Sequence, residues 1–298
     1  MQNVSLSSIC FQERELPRLC QCLVENKIDK LELSGNLKHI TDKQLRVTFR
    51  EYQNNVQFYI HNYFPSHAEP FVLNLAHPKT VFRAIKHCRK AIDLCYEFGI
   101  KQYSLHSGTA ISPEPEDLGN LQAHLPPFKM NESREILIEA CLEVAEYAKK
   151  KHILLLLENN VVASFNCPNG VNDRYHLADL EESAYLMSLF KHPSIGMLLD
   201  TGHLKVSAQT LNFDPIKFIE WFKLHIKALH ISENDGIVDQ NLPVSKNSWF
   251  WNYIPWKQVD YVSLEISGQS FKKLLNQIQL TRNKIWEAQN GSVNSQKS

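Results

Sequence analysis

No stretch of the 298-residue sequence stays apolar long enough to cross a bilayer, which takes about 20 residues, so a helical membrane protein is excluded. Charge of one sign is missing too. The 32 Lys and Arg balance 32 Asp and Glu, and a formal net charge of zero leaves no global field to attract nucleic acid or an anionic membrane surface. The opening residues, MQNVSLSSIC, have neither the basic nor the apolar region of a secretory leader, and a cytoplasmic protein is expected. The cysteine pattern does not suit a disulfide scaffold, because the seven cysteines (Cys10, Cys20, Cys22, Cys88, Cys95, Cys141, Cys167) are odd in number and scattered, mostly within helical patterns. They read as reduced thiols packed as small apolar residues. Cys20 and Cys22 stand too close together and too isolated for a zinc ribbon.

What the sequence does have is a set of short apolar runs, each closed by a side chain able to bind a metal. LLLLENN ends at Glu158, GMLLDTGH at Asp200 and His203, KALHISEND at His230, and YVSLEIS at Glu265. VQFYIHNYFP and KQYSLHSG repeat the arrangement at His61 and His106. Continuous apolar runs without alternation are the signature of parallel strands buried on both faces, so each polar residue sits where its strand leaves the core. Any one of them, alone, is as readily a cap or a satisfied hydrogen-bond partner. Several acids and imidazoles converging on one mouth need a cation to be stable together, since buried unpaired carboxylates otherwise neutralise themselves. Glu32 ends the second run, where an ion-paired place on the rim is the more natural reading than a place on the floor.

Between the runs lie helical patterns, at Glu13 to Glu25, Thr41 to Gln53, Thr80 to Phe98 and Glu132 to Lys151, with Gly99 as a C-terminal glycine and Asp214-Pro215 as a helix start. Strands are expected near 2–7, 29–34, 55–61, 102–106, 153–158, 195–200, 227–231 and 261–266. This alternation predicts an α/β fold, a single (β/α)8 TIM barrel with long βα loops after strands 3, 4 and 7. The loop after strand 7 carries no convincing long helix. The barrel is expected to span 1–288, with 289–298 a patternless, disordered tail.

The succession IHNYFP, SLHSG, LLLENN, LLDTGHL, LHISENDG with a later Asp239, and SLEIS resembles the xylose-isomerase-like TIM barrels. That superfamily holds sugar isomerases and epimerases together with endonuclease IV. In its sugar-isomerase members the resemblance implies one divalent ion (Mn, Co, Mg or Zn) on Glu158, Asp200, His230 and Glu265, with Glu158 and Glu265 as the catalytic proton-transfer pair. In its endonuclease members it implies a second zinc on His61 and His106, bridged by Glu158. A third would use His203, Asp239 and a histidine where this chain has Asn241.

The expected function is therefore a divalent-metal-dependent sugar or sugar phosphate isomerase or epimerase, working through a metal-bound enediolate. One carboxylate removes the proton and the other returns it. The rival is an endonuclease IV-like, zinc-dependent nuclease of abasic DNA. Charge balance and Asn241 weigh against it; His61 and His106 weigh for it. His203 would contact a substrate hydroxyl or a further ion, its alternative role being to cap the next helix. Phe64, Phe71, Trp249 and Trp251 offer an apolar wall for a sugar ring, while the aromatics of NSWFWNYIPW suit a subunit contact in a homo-oligomer equally well. Ser267-Gly268-Gln269, with one glycine, makes a weak phosphate cradle.

Overall fold

The computed structural model describes residues 3–290. Eight parallel strands close into a barrel in chain order, β1 (Asn3–Ser7), β2 (Lys30–Leu33), β3 (Gln57–His61), β4 (Gln102–His106), β5 (Leu154–Glu158), β6 (Ile195–Asp200), β7 (Ile226–Ile231) and β8 (Tyr261–Leu264). Each expected strand is present. The apolar runs are explained by two-sided burial. Alternate residues point into the barrel, where Tyr59, Leu156, Leu198, Ala228 and Tyr261 pack as one layer, and the others meet the surrounding helices.

Those helices are α1 (Leu16–Glu25), α2 (Asp42–Tyr52), α3 (Val81–Glu97), α4 (Met130–Lys149), α5 (Leu180–Leu189), α6 (Thr201–Leu211), α7 (Pro215–Phe222) and α8 (Phe271–Asn290). Gly99 takes φ +68° just beyond α3, as a glycine terminator does, and Asp214 accepts the Ile216 amide hydrogen at the start of α7. Two helices follow β6, and between β7 and β8 the described residues hold only a 3-10 turn at Trp256–Gln258. The six cysteines other than Cys22 are buried, and none is bridged. No helix among the described residues is long and apolar enough to cross a membrane.

Two differences from the sequence reading concern the ends and the loops. Helix α8 runs through Asn290, two residues past the expected boundary at 288, and Gln289 donates from Nε2 to the Trp256 carbonyl at 3.2 Å. The remainder of the expected tail, 291–298, lies outside the described residues. The segment 159–179 after β5 is a fourth long loop at the C-terminal mouth, beside those after β3, β4 and β7.

Strand register determines which polar residues become neighbours. His106 pairs with Glu158 across β4 and β5, and Asp200 with His230 across β6 and β7. Glu265 lies one residue beyond β8 and extends its pairing by donating its backbone N–H to the Ile231 carbonyl at 3.2 Å.

Candidate metal centre

Three carboxylates converge on one imidazole nitrogen. His230 Nδ1 lies 3.3 Å from Glu158 Oε1, 3.6 Å from Glu265 Oε2 and 3.8 Å from Asp200 Oδ2. The four residues named from sequence therefore meet, at the mouth end of β5 to β8. The second oxygen of Glu158 faces two further imidazoles, His61 Nε2 at 3.5 Å and His106 Nε2 at 3.6 Å. Both Glu158 oxygens and His230 Nδ1 are buried without a well-formed hydrogen bond. Buried polar atoms left in that condition are costly, and a hard cation with oxygen and imidazole ligands is what this donor set accommodates.

Electrostatics separates the acids. Burial alone would raise Glu158, but His106, His230 and His61 around it hold its carboxyl well below the usual range. Glu265 goes the other way, to about 8, pushed by burial and by the charges of Glu158, Asp200 and Glu32 against the pull of His230. Burial also lifts Asp200, to about 6. Among the histidines, burial lowers His61 to about 3 and lowers His106, whereas His230 and His203 are raised by surrounding carboxylates that outweigh their burial.

A third group adjoins these two. Asp200 Oδ1 accepts the His203 amide hydrogen at 2.7 Å, so Asp200, not His203, caps α6. The His203 ring donates from Nδ1 to the Asn159 carbonyl at 2.9 Å, which turns Nε2 toward Asp239 Oδ2 at 3.4 Å. Asn241 stands in the same cavity with a buried, unpartnered Oδ1.

A cavity of about 420 Å³ reaches this centre past His106, His203, Asp239 and Asn241. Its apolar wall is made by Tyr63, Val72 and Leu73 from the loop after β3 and by Val161, Phe165 and Tyr175 from the loop after β5. The aromatic wall expected from sequence is elsewhere. Phe64 is buried against Phe49, Trp251 is buried with its ring stacked on Trp256, and half-buried Trp249 packs edge-on to Phe250. Phe71 packs with Tyr63, His67 and Arg83. Large aromatics in these loops anchor them to the barrel because core burial stabilises more than a half-exposed position does.

Sequence reasoning undervalued Glu32 and missed Asn159, Ser104 and Tyr261. Glu32 is paired, but it is fully buried on the barrel floor with Oε1 2.8 Å from His230 Nε2, where burial is outweighed by His230 and His61 and its carboxyl is lowered. An acid inside the otherwise apolar end of KLEL was the available signal. Asn159 bridges two strands, accepting the Asp200 N–H at 2.8 Å and donating to the Asp200 carbonyl at 3.1 Å.

A family model described as xylose isomerase-like TIM barrel matches residues 25–262. No curated protein matches the chain. Among solved structures, a D-tagatose 3-epimerase-like protein superposes with a TM-score of 0.71 at 16% identity, covering 98% of this chain and 100% of its own. An L-ribulose 3-epimerase gives 0.70 at 14%, covering 100% and 99%. D-psicose 3-epimerase from Clostridium cellulolyticum H10, solved with D-tagatose, gives 0.65 at 13%, covering 97% and 98%. At such identities the likeness is one of fold.

Proposed function

This chain belongs to the xylose isomerase-like TIM barrel family, and from that premise we propose that it is a divalent-metal-dependent epimerase or isomerase of an unphosphorylated sugar. The observation that carries this reading is the convergence of Glu158, Asp200 and Glu265 within 3.8 Å of His230 Nδ1. These four residues would hold the ion. The ion would supply Lewis acidity toward adjacent hydroxyl and carbonyl oxygens of a sugar, lowering the barrier to proton removal at the carbon beside them.

The protein's own share is positioning and proton transfer. Glu158 and Glu265 leave strands separated by β6 and β7 and so approach a bound substrate from different sides. One carboxylate takes the proton from carbon, and the other delivers a proton to the same carbon in epimerisation or to its neighbour in isomerisation. Burial of the centre beneath the cavity keeps bulk water from these transfers.

Substrate charge follows from the cavity wall. No lysine or arginine lines it among the described residues, and the raised imidazole of His203 already faces Asp239, so a phosphate would meet no free ammonium or guanidinium there. The same feature disfavours a DNA backbone, whose binding rests on such contacts. One observation favours the nuclease reading, namely that His61 and His106 share a Glu158 oxygen and could hold a second ion. Asn241 argues against a third, because a neutral amide is a poor zinc ligand.

The test is proton exchange. Protein loaded with Mn or Co is incubated in deuterium oxide with free ketoses and with their phosphates, and loss of the α-proton signal is followed by NMR. We expect exchange in a neutral sugar, weaker or absent exchange in its phosphate, and no nicking of abasic duplex DNA. Nicking that disappears in His203→Ala and Asp239→Ala, with no exchange across the sugar panel, would overturn the proposal and install the nuclease.

A further inference from the structure

Beneath the metal centre runs a buried polar chain that the proton-transfer chemistry does not use. His230 Nε2 lies 2.8 Å from Glu32 Oε1, a close contact short of straight hydrogen-bond geometry. The Tyr261 hydroxyl donates to Glu32 Oε2 at 3.1 Å. The Ser104 hydroxyl is 3.3 Å from the Tyr261 hydroxyl, and His61 Nδ1 is 3.1 Å from Ser104 Oγ. All five residues are buried, and they join β2, β8, β4, β3 and β7 across the barrel interior.

We propose that Glu32, acting directly on His230 and through Tyr261 and Ser104 on His61, is the positioning residue that sets which nitrogen of each imidazole faces Glu158 and the metal centre. This rests on the metal-centre reading above. The argument is one of hydrogen-bond direction. An ionised carboxylate only accepts, so the Tyr261 O–H points at Glu32 and its oxygen is left to accept from Ser104. The Ser104 proton goes to the Tyr261 oxygen at 3.3 Å in preference to the more distant Ile60 carbonyl at 3.5 Å, and the Ser104 oxygen accepts from His61 Nδ1–H. An imidazole that binds an ion carries one N–H, and for His61 that N–H is fixed at Nδ1, leaving the Nε2 lone pair toward Glu158. On the other branch, two lone pairs facing each other at 2.8 Å would repel, so His230 places its Nε2–H against Glu32. The Nδ1 lone pair then serves the carboxylate cluster. One acceptor at the centre of the chain thus orients both rings, and Tyr261 is the only link in it between the two branches.

Two measurements test this independently of turnover. In the metal-free protein, 15N NMR of ring nitrogens should show His61 as the Nδ1–H tautomer, and Tyr261→Phe should shift it toward Nε2–H or a mixture. Titration with Co, followed by its absorption spectrum, should show Glu32→Gln weakening ion binding about 10- to 100-fold, the usual range for outer-shell partners of a ligand histidine. Tyr261→Phe should spare the ion at His230, its effect being confined to the His61 tautomer. Unchanged Co affinity in folded Glu32→Gln, or a wild-type His61 protonated at Nε2, would overturn the proposal. A lowered melting temperature with unchanged affinities would do the same, since that is what a merely structural network gives. If Glu32→Gln fails to fold, the wild-type tautomer and Tyr261→Phe still decide. Wild-type protein that binds no divalent ion would instead overturn the function proposed above, while the His61 tautomer would still judge the chain.

Discussion

Asp200 and His203 are joined by a short hydrogen bond, the Asp200 carboxylate accepting the His203 backbone N–H at 2.7 Å, while the other Asp200 oxygen faces His230. One carboxylate thus starts a helix and contributes to the centre. Asparagine caps a helix about as well as aspartate, whereas alanine does not, at a cost of about 1 kcal/mol. We expect Asp200→Asn to keep the stability of the helix start and lose ion affinity, and Asp200→Ala to lose both. Chemical denaturation alongside calorimetric metal titration separates the two contributions, and equal ion affinity in wild type and Asp200→Asn would remove Asp200 from the ligand set.

Glu158→Gln and Glu265→Gln should each fold and each lose turnover. General acid–base catalysis accounts for about 100- to 10,000-fold in rate, and the loss of a ligand adds to that. Steady-state kinetics at saturating Mn, with circular dichroism to check the fold, make the measurement. Near-full activity in either variant with its ion bound would refute the two-carboxylate mechanism.

The pH dependence of ion binding has a definite sign. In the metal-free fold Glu265 is raised from 4.5 to about 8, so it holds a proton at neutral pH. An ion needs the carboxylate, and binding must expel that proton. Apparent affinity should therefore climb with pH through about 8 as Glu265, and His230 whose imidazole is raised by the same carboxylates, give up their protons, with proton release visible as a dependence of binding heat on buffer ionisation enthalpy. Because the folded value is the higher one, the stability this group contributes to the metal-free protein is complete below 4.5 and is lost as pH rises through about 8. Binding that is independent of pH between those limits would contradict the assignment of Glu265 as a ligand.

Gly202, in the first turn of α6, has no room for a side chain. A Cβ there would fall 2.6 Å from Ser232 Oγ and 3.1 Å from Asp239 Oδ1. Gly202→Ala should displace Asp239 from His203 and lower kcat/KM at least several-fold. A displacement of about 1 Å in a site can cost on the order of 100-fold. A crystal structure of the variant with Asp239 unmoved and activity intact would show that this edge of the cavity is not used.

Much of this architecture was already legible in the residues. Runs such as LLLLE and GMLLD need no partner to be recognised as strands buried on both faces, and in a parallel barrel every such strand delivers its last residue to the same mouth. Glu158, Asp200, His230 and Glu265 could therefore be gathered from sequence alone, as could His61, His106 and His203. Tertiary structure decided what lies under and around them. Glu32 sits inside its strand, and only closure of the barrel brings it to His230 and Tyr261. Phe64 and Trp251 went to the core and Val161 and Phe165 to the cavity, because a loop residue's burial depends on chain distant in sequence. Strand periodicity is local and survives in one dimension; the side chosen by a loop residue, and the partner of a buried acid, exist only once the barrel has closed.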